Sequence, residues 1–428
     1  MDTIFALSTA RGRAGLAVVR VSGPAAVTAA AVLAGDVPPP RRASLRTLSA
    51  DGLVLDQAIV LNFAEGGSVT GEPVVEFHVH GSPAVVAALL RALGGLPGFR
   101  PAEPGEFTRR ALLNGRLTLT EVEGLGDLLA AETEMQRRQA MAALAGNLRG
   151  AAEGWRDRLL RAAALIEATI DFADEDVPVD VTSEVLRIID AVIAAFGEAL
   201  AGYGGAERVR DGFTVAIVGA PNVGKSTLLN RLAGREAAIT SAVAGTTRDV
   251  IEVKMDIAGL PVTVLDTAGI RETAEPVEAI GVARTLERAA AADLRVLLAG
   301  DEPVPAGLAM RPDDIVLRAK ADDDPGLGEG ISGATGAGVE HLLARIATIL
   351  GARVVPDALI TRERHRHAVL TAKGLLESAR CRLSSDPVEA ELIAEDLRGA
   401  IRALEVLVGR VDVEAVLGEI FAQFCIGK

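Results

Sequence analysis

Phe213-Thr-Val-Ala-Ile-Val218 is an apolar, β-branched run that leads into Gly219-Ala-Pro-Asn-Val-Gly-Lys-Ser-Thr227 and then Leu228-Leu-Asn-Arg-Leu232. The order predicts a buried strand, a glycine-bounded loop and a helix, the context that a phosphate-binding P-loop requires. Glycines let backbone N–H groups turn inward on phosphate oxygens. Lys225 neutralises β- and γ-phosphate charge, and the Ser226 hydroxyl offers a ligand to Mg2+. Asn222, Val223, Gly224, Lys225, Ser226 and Thr227 are therefore the first candidate nucleotide contacts.

Four further segments follow in order. Gly245-Thr-Thr-Arg-Asp249 is a polar loop in which Thr247 is the natural second Mg2+ ligand. Val262-Thr-Val-Leu-Asp266-Thr267-Ala268-Gly269 is an apolar strand ending in a carboxylate. Asp266 would hold the metal through water, and the Gly269 N–H would meet the γ-phosphate. Ala319-Lys320-Ala321-Asp322 lies where a base-reading Asn-Lys-x-Asp belongs, and Asp322 can accept from guanine N1–H and N2–H. Ser332-Gly333-Ala334 would close over the base edge. Five elements in this order point to hydrolysis of GTP rather than ATP. Ala319 stands where an Asn would brace the loop and contact the purine, so weakened guanine affinity with retained preference is expected.

The surroundings are read from composition and pattern. The chain has 428 residues, 49% hydrophobic and 3% aromatic, so several domains with aliphatic cores are expected. Its net charge of −14 argues against a protein that binds nucleic acid chiefly by counterion release. Cys381 and Cys425 make no disulfide framework. The start lacks the pattern of a signal peptide, and no apolar run reaches the roughly 20 residues of a membrane span. A cytoplasmic, non-membrane protein is expected.

Residues 1–118 read as mixed α/β, with strands at Gly15–Ser22 and Val74–His80 and a helix over 84–94. From 119 to 208 the pattern is helical: Leu119 to Leu148 with apolar residues at helical spacing and no Pro, Trp155 to Ile170, an interruption at Val177-Pro-Val-Asp, then Glu184 to Ala201. Gly202-Tyr-Gly-Gly205 reads as a hinge. Residues 209–350 alternate strands and helices, as in an open parallel sheet. Helical patterning returns over 351–428. The fold class expected is multidomain α/β plus all-α: an N-terminal α/β domain, a discontinuous helical domain, and a Ras-like P-loop G domain inserted into it.

Catalysis needs a group that orients water. The residue after Gly269 is Ile270, which cannot do so. Arg271, Glu272, Glu275 and Glu278 follow, and any of them could be a solvated switch residue. Asn222, an amide inside the P-loop, is placed to coordinate a monovalent cation near the phosphates, supplying charge that an arginine finger supplies elsewhere.

The flanking motifs are more specific. Ile4-x-Ala6, Arg11-Gly-Arg-Ala-Gly-Leu, Val19-Arg20-Val-Ser-Gly23, Thr70-Gly-Glu-x-Val-Val-Glu76-Phe-x-x-His80-Gly, the stretch Arg100-Pro-Ala-Glu-Pro-Gly-Glu-Phe-Thr-Arg-Arg-Ala-Leu-Leu-Asn-Gly-Arg116, and Phe424-Cys-Ile-Gly-Lys428 stand in this sequence. With them the chain resembles the MnmE (TrmE) family of tRNA-modification GTPases over nearly its whole length. The resemblance implies a tetrahydrofolate-binding-like N-terminal domain that mediates homodimerisation. It also implies a 5-formyltetrahydrofolate-type one-carbon donor, with folate contacts at Arg20, Glu76, Arg116 and Lys428. Arg116 replaces the Lys often found in the family, exchanging a point charge for a planar fork.

In the G domain the resemblance assigns K+ to Asn222, Ser241, Val243 and Thr246, adds Ser241 and Thr246 to the GTP contacts, and implies that the G domains of two subunits meet across their nucleotide faces. It puts the catalytic carboxylate at Glu278, with Arg271 beside it, and places Cys425 in the modification chemistry. It implies a tRNA substrate and an FAD-dependent, MnmG-like partner in a heterotetramer, installing an aminomethyl or carboxymethylaminomethyl group at C5 of the wobble uridine. An Era-like ribosome-assembly GTPase is the alternative reading of the P-loop.

Three other features have modest explanations. Glu76, His78 and His80 share a strand face, but a flat strand lacks a convergent fourth metal ligand. Cys425-Ile-Gly-Lys428 fits a prenylation box poorly. The clusters Arg137-Arg138 and Arg362-Glu-Arg364-His-Arg366-His367 read by default as solvated helix faces, and are the best local candidates for tRNA phosphate contact.

Overall fold

The structure is a computed structural model. It describes residues 2–171, 181–220, 222–235, 237–239, 252–266, 287–300, 309–322, 329–385, 388–410, 421, 424 and 427. Two compact units are distinguished, Met1–Gly126 with Arg402–Lys428, and Asp127–Ile401.

In the first unit the strands are β1 Thr3–Leu7, β2 Ala14–Ser22, β3 Ser44–Ala50, β4 Leu53–Phe63, β5 Val74–Gly81 and β6 Phe99–Pro101. The helices are α1 Ala26–Ala34, α2 Pro83–Gly94, α3 Glu106–Leu113 and α4 Leu119–Ala130. The sheet order is β3-β4-β5-β2-β1-β6. All neighbours are antiparallel except β1 and β6. Alternation sorts the faces. Val19, Val21, Val75, Phe77 and Val79 point into a core shared with Ala26, Ala30, Leu33, Leu89 and Leu93 of α1 and α2. Arg20, Glu76 and His78 alternate with them and are only half-buried.

The second unit holds α5 Glu134–Leu144, α6 Asn147–Asp171, α7 Val181–Ala201 and α8 Tyr203–Asp211. It continues with β7 Phe213–Gly219, α9 Lys225–Ala233, β8 Glu252–Ile257, β9 Leu260–Asp266, β10 Leu294–Ala299, β11 Ile315–Ala319 and β12 Gly330–Ile331. Helices Val339–Gly351, Glu363–Leu383 and Ala390–Val408 follow, and the third of these ends beyond the unit's boundary. The second sheet runs β12-β11-β10-β7-β9-β8. Every neighbouring pair is parallel except β8 with β9. A central parallel strand is buried on both faces and therefore reads as a continuous apolar run. Val215, Ala216, Ile217 and Val218 are all buried. The chain leaves β7 for β8 and β9 on one side and later for β10 to β12 on the other. That reversal places the P-loop at the switch point, where open α/β sheets bind ligands. This is the Ras-like architecture expected.

Two local expectations are corrected, and a third is not tested. The helix read from Leu119 to Leu148 is interrupted twice. Thr133 and Gln136 form a capping box that starts α5 afresh, and Gly146, at φ 83°, separates α5 from α6. The hinge read at Gly202–Gly205 is helical: Gly202 has φ −83° and ψ −9°, and α8 begins at Tyr203. There Arg353 O lies against the space where a Cβ on Gly205 would sit, so this glycine serves close packing. The break expected at Val177-Pro-Val-Asp lies outside the described residues.

Helix α8 leads into β7 and is tied on several sides. Gln136 Nε2 donates to Arg210 O at 3.1 Å, Gln139 Nε2 to Ala206 O at 3.0 Å, and Arg210 Nη1 to Thr361 O at 2.7 Å. Val209 and Met135 contribute to the core beneath the β7 sheet. No helix among the described residues is long and apolar enough to cross a membrane.

Candidate functional site

The P-loop follows β7 as its sequence requires. Gly224 has φ 111° and Asn222 φ 60°, both left-handed, which turns the loop back on itself. Val223 is buried and anchors it. A Cβ on Gly219 would stand 2.7 Å from Leu298 O, so only glycine lets the end of β7 approach β10 this closely. Lys225 is 6% exposed; its Nζ donates to Gly219 O at 2.9 Å and to Ala220 O at 2.8 Å. Burial lowers the pKa of its ammonium, and the nearby Asp266 charge opposes that shift.

Ser226 Oγ donates to Asp266 Oδ2 at 2.7 Å. The hydroxyl begins α9 and the carboxylate ends β9, so two separate elements bring two hard oxygen donors together. This pair fits Mg2+, which prefers oxygen ligands and retains water. Thr267, Ala268, Gly269, Arg271, Glu278, Ser241, Val243, Thr246 and Thr247 lie outside the described residues.

The base side is built by β11 and β12. Ala319 pairs with Ile331, and Ala321 N donates to Ile331 O at 3.2 Å. Lys320 has φ 58°, which turns the chain so that Asp322 is exposed. Ser332 is buried, and its Oγ accepts from Thr335 N at 3.0 Å. Gly333 touches α9: a Cβ there would lie 2.6 Å from Leu228 N. The P-loop helix and the base-edge loop are thus in direct contact. Sequence reasoning passed over Arg231, whose Nε donates to Gly333 O at 3.2 Å and whose Nη2 donates to Ala334 O. Its signal was only its position in the last turn of the P-loop helix.

In the N-terminal unit, Arg20 Nε donates to Glu76 Oε1 at 2.9 Å, and His78 Nε2 meets Glu76 Oε2 at 3.1 Å. The Arg20 guanidinium lies 5.7 Å from the centroid of the Phe107 ring. A half-buried carboxylate beside a guanidinium and an aromatic face suits a flat, polar heterocycle. The register Ala6↔Arg20↔Glu76 puts this trio beside Leu7, and Leu7 O and Ser8 Cα lie against Gly427. Phe421 and Phe424 pack with Val122, and a Cβ on Gly105 would come 2.8 Å from Phe421 Cδ1. Gly427 therefore lies against the end of β1, one residue beyond the Ala6 that pairs with Arg20. Arg116 is exposed and lies over Gly71. Cys425 and Lys428 lie outside the described residues.

Much of the Arg100–Arg116 stretch forms a buried ionic cluster. Arg110 bonds Glu72 at 3.1 Å and Glu106 at 3.0 Å, and Arg100 bonds Glu106 at 2.6 Å. Ser22 Oγ donates to Glu72 Oε2 at 2.8 Å. Burial raises the Glu106 pKa. Hydrogen bonds from Arg100, the Glu103 N–H and Arg110 outweigh it and hold the carboxyl at about 2.

His80 Nδ1 pairs with Asp56 at 2.8 Å, away from the Glu76–His78 pair. Among the described residues no three His, Cys, Asp or Glu side chains converge as a metal site. The basic clusters are largely compensated. Arg137 and Arg138 both pair with Glu134 at 2.7 Å, Arg362 pairs with Asp127 at 2.5 Å, and Arg366 pairs with Glu363 at 2.7 Å.

Comparison with known proteins agrees with this geometry. Residues 3–116 match the family model described as GTP-binding protein TrmE N-terminus, and residues 119–425 match the MnmE helical domain. A Cereibacter sphaeroides protein named tRNA modification GTPase MnmE is 58% identical over 428 residues, covering 100% of both chains. Relatives of the same name from Ruegeria pomeroyi and Roseobacter denitrificans are each 56% identical, again covering 100% of both chains. The chain is a GTP hydrolase and belongs to the MnmE family of tRNA modification GTPases.

Proposed function

We propose that the chain is a K+-dependent GTP hydrolase that acts with an FAD-dependent, MnmG-like partner. Together they install an aminomethyl or carboxymethylaminomethyl group at C5 of the wobble uridine of certain tRNAs, in the cytoplasm. The observation that carries the reading is the convergence of Lys225, Ser226 and Asp266 at the switch point of the β7 sheet, in a chain whose relatives match it end to end. An Era-like ribosome-assembly role is disfavoured by that same full-length match.

The division of labour follows from the residues. Lys225 and the P-loop N–H groups hold the β- and γ-phosphates. Ser226 and Thr247 would hold Mg2+, with Asp266 outside them, and the metal would neutralise phosphate charge as it develops. Asn222 offers an amide oxygen from a left-handed turn, which suits K+ together with Ser241, Val243 and Thr246. Thr267, Ala268 and Gly269 line the γ-phosphate side. Lys320, Asp322, Ser332, Gly333 and Ala334 hold the base. Glu278 orients water, with Arg271 beside it. Arg20, Glu76, Arg116 and Lys428 hold a 5-formyltetrahydrofolate-type donor, and Cys425 serves the modification step. The domains are 1–118, 119–208, 209–350 and 351–428, and the chain is a homodimer. GTP turnover in KCl compared with NaCl tests the cation assignment. Faster turnover in KCl is expected, and equal rates would remove Asn222 from that role.

A further inference from the structure

The base-reading segment has a gap in its bracing. Ala319 ends β11, opposite Ile331 of the neighbouring strand β12 and one residue short of Ser332. An amide at this position could donate to the loops on either side, whereas a methyl group donates nothing. The base-edge loop is instead tied to the P-loop helix. Arg231 donates from Nε to Gly333 O at 3.2 Å and from Nη2 to Ala334 O. Its guanidinium also flanks Gly336, where a Cβ would stand 3.7 Å from Nε. Gly333 has no side chain to hold the loop off α9, and a Cβ there would lie 2.6 Å from Leu228 N and 2.8 Å from Thr227 C. Within the loop, Gly336 N donates to Ser332 O at 2.9 Å. A rigid planar fork across two successive carbonyls fixes the peptide planes between them, and a flexible ammonium cannot do this.

We infer that Arg231 is the brace of the guanine pocket, a positioning residue that compensates for the missing amide at 319. By holding Gly333 O it fixes the Gly333–Ala334 peptide plane and with it the Ala334 N–H that would meet the base edge, and by holding Ala334 O it fixes the next peptide, whose Thr335 N–H donates to Ser332 Oγ. The inference rests on the reading of Asp322 and residues 332–334 as the base site. That reading has its own check: Asp322→Asn should move preference from GDP towards xanthosine diphosphate, and its failure would sink the base site whatever Arg231 does.

The brace is tested by equilibrium binding of GDP and ADP to the full-length protein as wild type, Arg231→Ala, Ala319→Asn and the double variant. Losing two hydrogen bonds predicts about a tenfold weaker GDP affinity in Arg231→Ala, with the GDP-to-ADP affinity ratio falling by a similar factor. Because Ala319→Asn restores an alternative brace, the same Arg231 substitution in that background should cost only about threefold or less. Arg231→Lys should fall between wild type and Arg231→Ala. Equal losses for GDP and ADP, or the same fold-change in both backgrounds, would overturn the inference.

Discussion

Ser226 Oγ and Asp266 Oδ2 lie 2.7 Å apart, although one begins a helix and the other ends a strand 40 residues later. The parallel pairing of β7 with β9 brings them together, since Ile217 is opposite Asp266 two residues before the P-loop opens. Replacing the carboxylate should spare the fold and injure metal use. Asp266→Asn is expected to raise the Mg2+ concentration needed for half-maximal GTP turnover by roughly 10–100-fold, as for other residues that hold a metal from outside its immediate ligands. A Mg2+ titration of GTPase rate checks this, and an unchanged midpoint would remove Asp266 from the metal site.

The water-orienting role given to Glu278 predicts a separation of binding from chemistry. Glu278→Ala should bind GTP as wild type does and lose on the order of 10²-fold in kcat. Single-turnover hydrolysis beside equilibrium GTP binding measures the two. A normal kcat contradicts the assignment and returns the choice to Glu272 or Glu275.

The ionic cluster of the N-terminal domain predicts an acid-sensitive stability. Glu106 is held at about 2, below its ordinary 4.5. A depressed folded-state pKa contributes stability that is fully present above about pH 4.5 and is lost as pH falls towards about 2. Glu106→Gln should therefore flatten the dependence of the thermal midpoint on pH in that window. Arg110→Met, which leaves Asp2, Glu72 and Glu106 without their shared partner, should cost roughly 3–5 kcal/mol at neutral pH. Denaturant melts of both variants supply the comparison, and wild-type behaviour in each would show that the cluster contributes nothing net.

How far the sequence could be read depended on the range of the interactions. The P-loop, the strand ending at Asp266 and the order of the G-domain elements were legible because local pattern and tertiary structure agree there. The roles inside Arg100–Arg116 were not. Arg110 meets Glu72 only after β5 and α3 have packed, and nothing local separates an arginine that binds a ligand from one that neutralises a buried carboxylate. The hinge read at Gly202–Gly205 failed for a similar reason. Those glycines permit close approach of Arg353 O, Val355 and Ala358 to a helix, a contact with residues some 150 positions later. Arg231 looked like any exposed helix residue until its two carbonyl partners were in place.

The packing of Phe421 and Phe424 against Gly105 and of Gly427 against Leu7 predicts a remote effect on the ligand proposed for the Arg20–Glu76 pair. Gly105→Ala puts a methyl group 2.8 Å from the Phe421 ring at a position with φ +67°. The expected cost is roughly 1–3 kcal/mol, concentrated in tail docking. Protease cleavage near the C-terminus should accelerate, and affinity for a reduced folate, read by calorimetry, should fall while GTP binding stays at the wild-type level. Unchanged folate affinity with a cleaved tail would separate the tail from that pocket.

GTP hydrolysis at this P-loop is expected to serve modification of tRNA. Mass spectrometry of wobble uridines in tRNA from a strain lacking the gene, complemented with wild type or with Lys225→Ala, tests it most directly. C5-substituted uridines should disappear in the deletion, return with wild type and stay absent with Lys225→Ala. Fully modified uridines in the deletion strain would contradict it.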